Sequence, residues 1–145
     1  MAFLSMTRLK VKSILLLPKF IVQNEAIVKQ IRSSEGFRNG KTLLDPSLSA
    51  WTVTLWDSED AMRAFYTSGA HRNIMPSLSF YSNEAVTAHM SFSEVDLPTW
   101  RFVHEQLSKI GKFSTVLKEP TQNHLDKIIS KPSITLLTRP IKHIG

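Results

Sequence analysis

The sequence predicts an α+β domain with the element order strand, helix, strand, strand, helix, strand, followed by an extension, and three observations predict it. The run Trp51-Thr52-Val53-Thr54-Leu55-Trp56 is rich in β-branched and aromatic residues. Its alternation puts Trp51, Val53 and Leu55 on one face and Thr52, Thr54 and Trp56 on the other. That strand turns directly into a helix. Asp57 or Ser58 caps it, Glu59 and Asp60 meet the positive end of its dipole, and Ala61, Met62 and Phe65 form its apolar face. Finally, 145 residues with 42% hydrophobic content suit one ordinary core.

The first strand falls between Phe3 and Lys12, where Leu9 and Val11 oppose Arg8, Lys10 and Lys12. Pro18 suits the first turn of the next helix, and Phe20, Ile27 and Ile31, flanked by Ile21 and Val28, form its stripe until Gly36 ends it as a left-handed cap. Phe37 to Leu44 is the second strand, weakened by Gly40, and Asp45-Pro46-Ser47 turns it back into the Trp51 strand as a hairpin. The second helix runs from about Ser58 to Tyr66, pauses at Ser68-Gly69, and resumes through His71 and Ile74 before Pro76 breaks or kinks it. The fourth strand, Ala85 to Phe92, sets Val86, Ala88 and Met90 against Thr87, His89 and Ser91.

This βαββαβ order over residues 1–92 gives a ferredoxin-like sandwich, with both helical segments on one face of a four-stranded antiparallel sheet. The other face is then bare, and dimerisation is its simplest remedy: two facing sheets close a dimeric α/β barrel whose interior can hold a ligand. Residues 93–145 read as an extension packed on the core or on a partner subunit. In it Pro98 opens a helix carrying Trp100, Val103, Leu107 and Ile110 up to Gly111. Phe113 to Leu117 is a short strand, Leu125, Ile128 and Ile129 share one side of a short helix, and Ile134 to Leu137 is an extended run closed by Pro140.

Composition removes several chemistries. With no cysteine, disulfides, thiolate nucleophiles and cysteine-ligated zinc or iron–sulfur centres are excluded. A formal charge of +6 raises nucleic acid as a partner, but the basic residues are dispersed and the aromatics lie in apolar periodic runs, so none is expected. The charge suits an anionic ligand or a membrane surface equally well. The apolar run Ile14–Leu17 after Arg8, Lys10 and Lys12 is too short to span a bilayer and lacks a small-residue cleavage site, so a cytoplasmic location is the expectation. His104, His124 and His143 are separated, on expected surface positions, and lack the paired spacing of zinc ligands. No phosphate-binding glycine loop or nucleophile elbow is present.

The βαββαβ order with the segment TVTLWDSEDAMRAFYTSGAHR resembles the dimeric α/β-barrel superfamily of antibiotic-biosynthesis monooxygenases, heme-degrading monooxygenases and spheroidene monooxygenase. The tryptophan, the acidic helix start, the AMRAF-like segment and the SGAHR run are similar to a branch near the spheroidene monooxygenase-like proteins. Heme-degrading members use an asparagine on the first strand, a tryptophan on the second helix and a histidine ligand one turn on. The resemblance puts those positions at Thr7, Phe65 and Met75, all different, which argues against heme degradation by that set. Likeness to the spheroidene group keeps a histidine-ligated heme open, with His71 as the implied ligand.

His71 and His89 are the candidate catalytic groups. His71 has three readings: heme ligand, general base, or a side chain tying down the helix break through a backbone hydrogen bond. Arg72 beside it suits an anionic group if it faces the cavity, and otherwise a solvated helix position. Thr52 and Thr54, with Thr87, His89, Ser91 and Thr7 or Ser5, make a hydroxyl-rich face suited to lining a cavity or to an interface. Trp56 and Trp51 offer stacking surfaces or core, and Phe65, Met62 and Met75 an apolar wall. Two functions follow. One is a small monooxygenase-like enzyme acting on a hydrophobic or aromatic molecule between sheet and helices, cofactor-free or heme-dependent. The other is a non-catalytic ligand-binding or structural homodimer.

Overall fold

The computed structural model describes residues 2–132 and 137–143. One antiparallel sheet organises the chain, built from β1 (Ala2–Val11), β2 (Phe37–Leu44), β3 (Ser49–Trp56), β4 (Ser82–Phe92), β5 (Lys112–Phe113) and β6 (Thr138–Ile141) in the spatial order β5-β4-β1-β3-β2-β6. Its four inner strands have the ferredoxin-like order, and two short strands of the extension lengthen the sheet at both edges. Pro140 lies inside β6 rather than closing an extended run. An edge strand accommodates it because one side of its backbone needs no partner. Of the expected run 134–137, residues 134–136 lie outside the described residues.

Among the described residues five α-helices pack on this sheet, α1 (Leu17–Arg32), α2 (Glu59–Tyr66), α3 (Gly69–Tyr81), α4 (Trp100–Ile110) and α5 (Gln122–Leu125). The Ser58 hydroxyl caps α2 by accepting from the Ala61 amide at 3.1 Å. The first helix ends earlier than Gly36. Ser33 follows its last turn, and Gly36, at φ +84°, makes the turn where its carbonyl accepts from the Asp57 amide at 2.7 Å. A Cβ there would sit 2.6 Å from that of Ala61, so this crossing of β2 entry and α2 requires glycine.

Pro76 does not end the third helix, which runs through it to Tyr81. The proline ring is exposed and Leu78, two residues on, is buried, so packing just beyond the proline offsets the one lost backbone bond. Two elements of the extension are shorter than expected. The Phe113–Leu117 strand is reduced to Lys112–Phe113, and the helix near Leu125–Ile129 to Gln122–Leu125, leaving Leu125 and Ile128 exposed while Ile129 enters the core.

The alternation of the strands sorts two cores. Phe3, Ser5, Thr7 and Leu9 of β1, with Ala50, Thr52, Thr54 and Trp56 of β3 and Ala85, Thr87 and His89 of β4, face α1, α2 and α3. Leu4, Met6, Leu43, Trp51, Val53, Leu55, Val86 and Ala88 face the other way. That second face is not bare, which corrects the expectation. Trp100, Val103 and Leu107 of α4 are buried on it, because three residues at helical spacing supply the apolar surface the sheet needs. Ile110, the fourth member of the stripe, is exposed at 48%.

Where this face meets the loops, Arg8 and Glu84 form a buried ion pair at 2.6 Å. Arg8 also donates to Ser49 Oγ at 3.0 Å and lies 5.3 Å from the Trp51 ring centre, while Thr121 donates to the other Glu84 oxygen at 2.6 Å. Trp51 Nε1 donates to Asp45 at 2.9 Å. Burial alone would raise the Glu84 carboxyl; the Thr121 hydroxyl and the Arg8 hydrogen bond and charge, with Lys10, outweigh it and hold the pKa below 4.5.

Candidate active site between sheet and helices

A cavity of about 200 Å³ lies between the sheet and α1, α2 and α3. Its floor is the hydroxyl-bearing face of the strands, with Ser5, Thr7, Thr52, Thr54 and Thr87, and its apolar walls include Phe20, Ile27, Ile31, Phe65 and Leu78. Eight of the residues singled out in the sequence meet here: Ser5, Thr7, Thr52, Thr54, Phe65, His71, Met75 and Thr87. Trp56, Arg72 and His89 do not line it, nor do Trp51, Met62 and Ser91. Trp56 is fully buried behind the wall, stacked on Phe65 at 5.3 Å with its Nε1–H donated to Thr54 Oγ1 at 2.9 Å. Arg72 is exposed on α3. His89 reaches the site only through another side chain, its Nε2 lying 3.3 Å from the Tyr66 hydroxyl.

Tyr66 is the residue that sequence reasoning missed. Its hydroxyl is 2.5 Å from Ser5 Oγ, its ring stacks on His71 with centres 4.6 Å apart, and it lines the cavity. Burial pushes the phenol up, only partly offset by the hydroxyls of Ser5, Thr87 and Thr7, so it stays protonated at neutral pH. The signal in the sequence was weak. Tyr66 and His71 are five apart, a spacing that stacks only because the helix breaks between them.

That break is held by Gln30 of α1, also missed. Gln30 Nε2 donates to the carbonyls of Ser68 at 2.8 Å and Phe65 at 3.2 Å, and its Oε1 accepts from the His71 amide at 2.7 Å. Gly69, at φ +59°, packs so close that a Cβ would lie 3.0 Å from Gln30 Nε2. A polar residue beside the apolar Ile27–Ile31 stripe was its only trace.

The His71 ring is fixed in one tautomer. Nδ1 lies 3.1 Å from the Tyr66 carbonyl oxygen, and since a carbonyl only accepts, Nδ1 carries the proton and Nε2 keeps its lone pair. Burial lowers the His71 pKa below 6.5 more than the Tyr66 carbonyl raises it. Burial and the charge of Arg63 lower His89 likewise, with a smaller opposing pull from Glu59. Both imidazoles are neutral at pH 7.

The remaining histidines are structural where they are buried. His124, expected on the surface, is 6% exposed: its Nε2 donates to the Ser114 carbonyl at 2.9 Å and its Nδ1 accepts from the Ala85 amide at 3.4 Å. The extension folds over β4 and encloses it. His104, half-buried, donates to the Ile129 carbonyl at 2.8 Å, and His143 is exposed. Among the described residues no group of three or more acidic or histidine side chains is placed to hold a metal ion. Nor is any described helix long and apolar enough to cross a membrane.

A solved structure of SnoaB, a cofactor-independent oxygenase from Streptomyces nogalater, superposes with a TM-score of 0.55 at 15% identity over 68% of this chain and 98% of that one. The fold is that of the antibiotic-biosynthesis-monooxygenase-like proteins. Rv0793 from Mycobacterium tuberculosis has a TM-score of 0.60 at 10% identity over 66% of this chain and 100% of its own. A protein described as an antibiotic biosynthesis monooxygenase has 0.57 at 7% identity, over 63% and 99%. These neighbours are covered almost whole and leave about a third of this chain outside the shared fold. No family model and no curated protein matches the sequence.

Heme, the cofactor implied by the resemblance, does not fit this cavity. A cavity of ~150 Å³ accepts benzene, so about 200 Å³ taken alone admits one or two fused rings, and a four-pyrrole macrocycle would need the adjoining space as well. The cation beside His71 that could have met a propionate, Arg72, does not line it.

Proposed function

We propose that the protein is a small cofactor-free oxygenase acting on a one- or two-ring hydroxylated aromatic held between sheet and helices, with His71 as general base. The observation that carries this is the tautomer of His71: a neutral imidazole in the cavity wall whose Nδ1–H is spent on the Tyr66 carbonyl and whose Nε2 is left basic. The described activity of SnoaB, a neighbour in fold, lends support.

His71 Nε2 takes the phenolic proton, and the electron-rich anion gives electrons to dioxygen in a pocket whose apolar walls limit water. With 1-naphthol one oxygen atom forms a carbonyl at the carbon para to the hydroxyl and the other leaves as water. The product is 1,4-naphthoquinone, and the ring itself supplies all four electrons. The Tyr66 hydroxyl, protonated at neutral pH, is placed to donate a hydrogen bond to developing negative charge.

Oxygen uptake with 1-naphthol, together with quinone formation, tests the reading. His71→Gln should lower the rate by about 10²- to 10⁴-fold, the usual worth of a positioned base. An unchanged rate removes His71 from the mechanism. The internally bonded Ser5–Tyr66–His89 chain favours one second reading, a ligand-binding protein without turnover. Tight naphthol binding with no oxygen uptake would select it.

A further inference from the structure

A groove of about 380 Å³ abuts the cavity. The two share Thr7, Leu9, Met75, Leu78 and Thr87, and the far wall of the groove is the Lys112–Leu117 segment of the extension. Phe113, Val116 and Leu117 make half of that wall apolar, Ser114 and Thr115 add hydroxyls, and Lys112 is its single charged residue. The cavity alone is smaller than the ~300–1,000 Å³ usual for a ligand site. With the groove the space falls within it.

Met75 stands in both walls and is 38% exposed. A methionine has three rotatable bonds and no branch, so it can swing aside without disturbing a packed neighbour. The shared partition is thus short, and its most movable member faces both compartments.

We infer that the site takes a hydroxylated aromatic carrying an unbranched alkyl tail, with the ring in the cavity beside His71 and Tyr66 and the tail in the groove beneath Lys112–Leu117. This rests on the cavity being the binding site, as proposed above. The extension then does more than cover the sheet: it selects the length of the substrate.

Binding of 3-alkylphenols to the full-length protein, from phenol to 3-pentylphenol, tests this by calorimetry and needs no turnover. Affinity should rise about threefold to fourfold per methylene, the increment for burying each one. Leu117→Trp and, separately, Thr115→Trp should fill the groove and flatten the series, weakening 3-pentylphenol at least tenfold while leaving phenol unchanged. Unchanged phenol affinity also reports an intact fold. Affinity level with tail length in the wild type overturns the groove and leaves the cavity standing. A length dependence that persists in both tryptophan variants also overturns it, assigning the gain to a different surface. Failure of phenol and of every homologue to bind removes the cavity reading and the groove together.

Discussion

Protonating His71 would place a cation in a wall shared with Phe20, Ile27 and Phe65, and that unfavourable step is why its pKa lies below 6.5. Two outcomes follow at this single residue. As a base it must be neutral, so oxygen uptake should fall as pH drops, with a midpoint below 6.5 that Tyr66→Phe leaves nearly in place. A midpoint above 6.5 would point to a different base. Stability follows the same sign. Between their folded values and 6.5, His71 and His89 are neutral in the folded chain and protonated in the unfolded one, so the unfolded state binds more protons. Urea midpoints should therefore be flat above pH 6.5 and decline as pH falls below it. Glu84 adds a second loss lower down, as pH falls from 4.5 through its depressed folded value and the pair with Arg8 is neutralised. Much of the site was legible one residue at a time, because alternation alone sends Thr7, Thr52, Thr54 and Thr87 to one face of a sheet. Tyr66 was not, since stacking across a helix break obeys neither a period of two nor one of 3.6.

The break between α2 and α3 is where the site is made, and it depends on an element remote in sequence. Three backbone groups at the break meet one amide side chain of α1: the His71 amide donates to it, and the carbonyls of Phe65 and Ser68, which also accept from the amides of Ser68 and Arg72, each take a further bond from it. Gln30→Ala removes all three bonds. Water can replace those at the exposed rim, so the expected cost is about 1–2 kcal/mol in urea unfolding, with a matching loss of naphthol affinity as His71 and Tyr66 lose their register. Gln30→Glu discriminates further. It keeps an acceptor for the His71 amide but places a carboxylate against two carbonyls, and should be no better than alanine. A fully stable Gln30→Ala protein would mean that the α1–α3 packing alone holds the break. A sequence shows the break itself through Ser68-Gly69, but not what satisfies it. It also overstates Pro76, because whether a helix survives a proline depends on the packing just beyond it, here of Leu78.

At the scale of the whole molecule the amphipathic pattern of α4 was plain, but periodicity names the face a helix buries and never the surface it buries against. From four strands and two helical segments, a bare sheet face and a partner subunit were the natural conclusion. The chain instead lays Trp100, Val103 and Leu107 over that face, with Lys41 4.7 Å above the Trp100 ring and Trp100 Nε1 donating to Thr138 of β6 at 3.0 Å. Outward, α4 presents Arg101, Glu105, Ser108 and Lys109, all exposed, and Arg101 and Glu105 pair at 3.2 Å. Apart from Ile110, that outer surface is polar and offers little for a second sheet to bury. Light scattering should therefore give the mass of one chain. Trp100→Ala should cost about 3–5 kcal/mol, through the cavity it leaves and the lost contacts with β6. Val103→Asp tests the same covering differently. It places a charge between helix and sheet, so α4 should lift and the apolar set from Leu4 to Val86 should become available to a second copy, raising the measured mass with concentration. A wild-type protein that runs as a dimer, and stays one in Val103→Asp, would show that the subunit contact lies elsewhere and that α4 is not what completes this face.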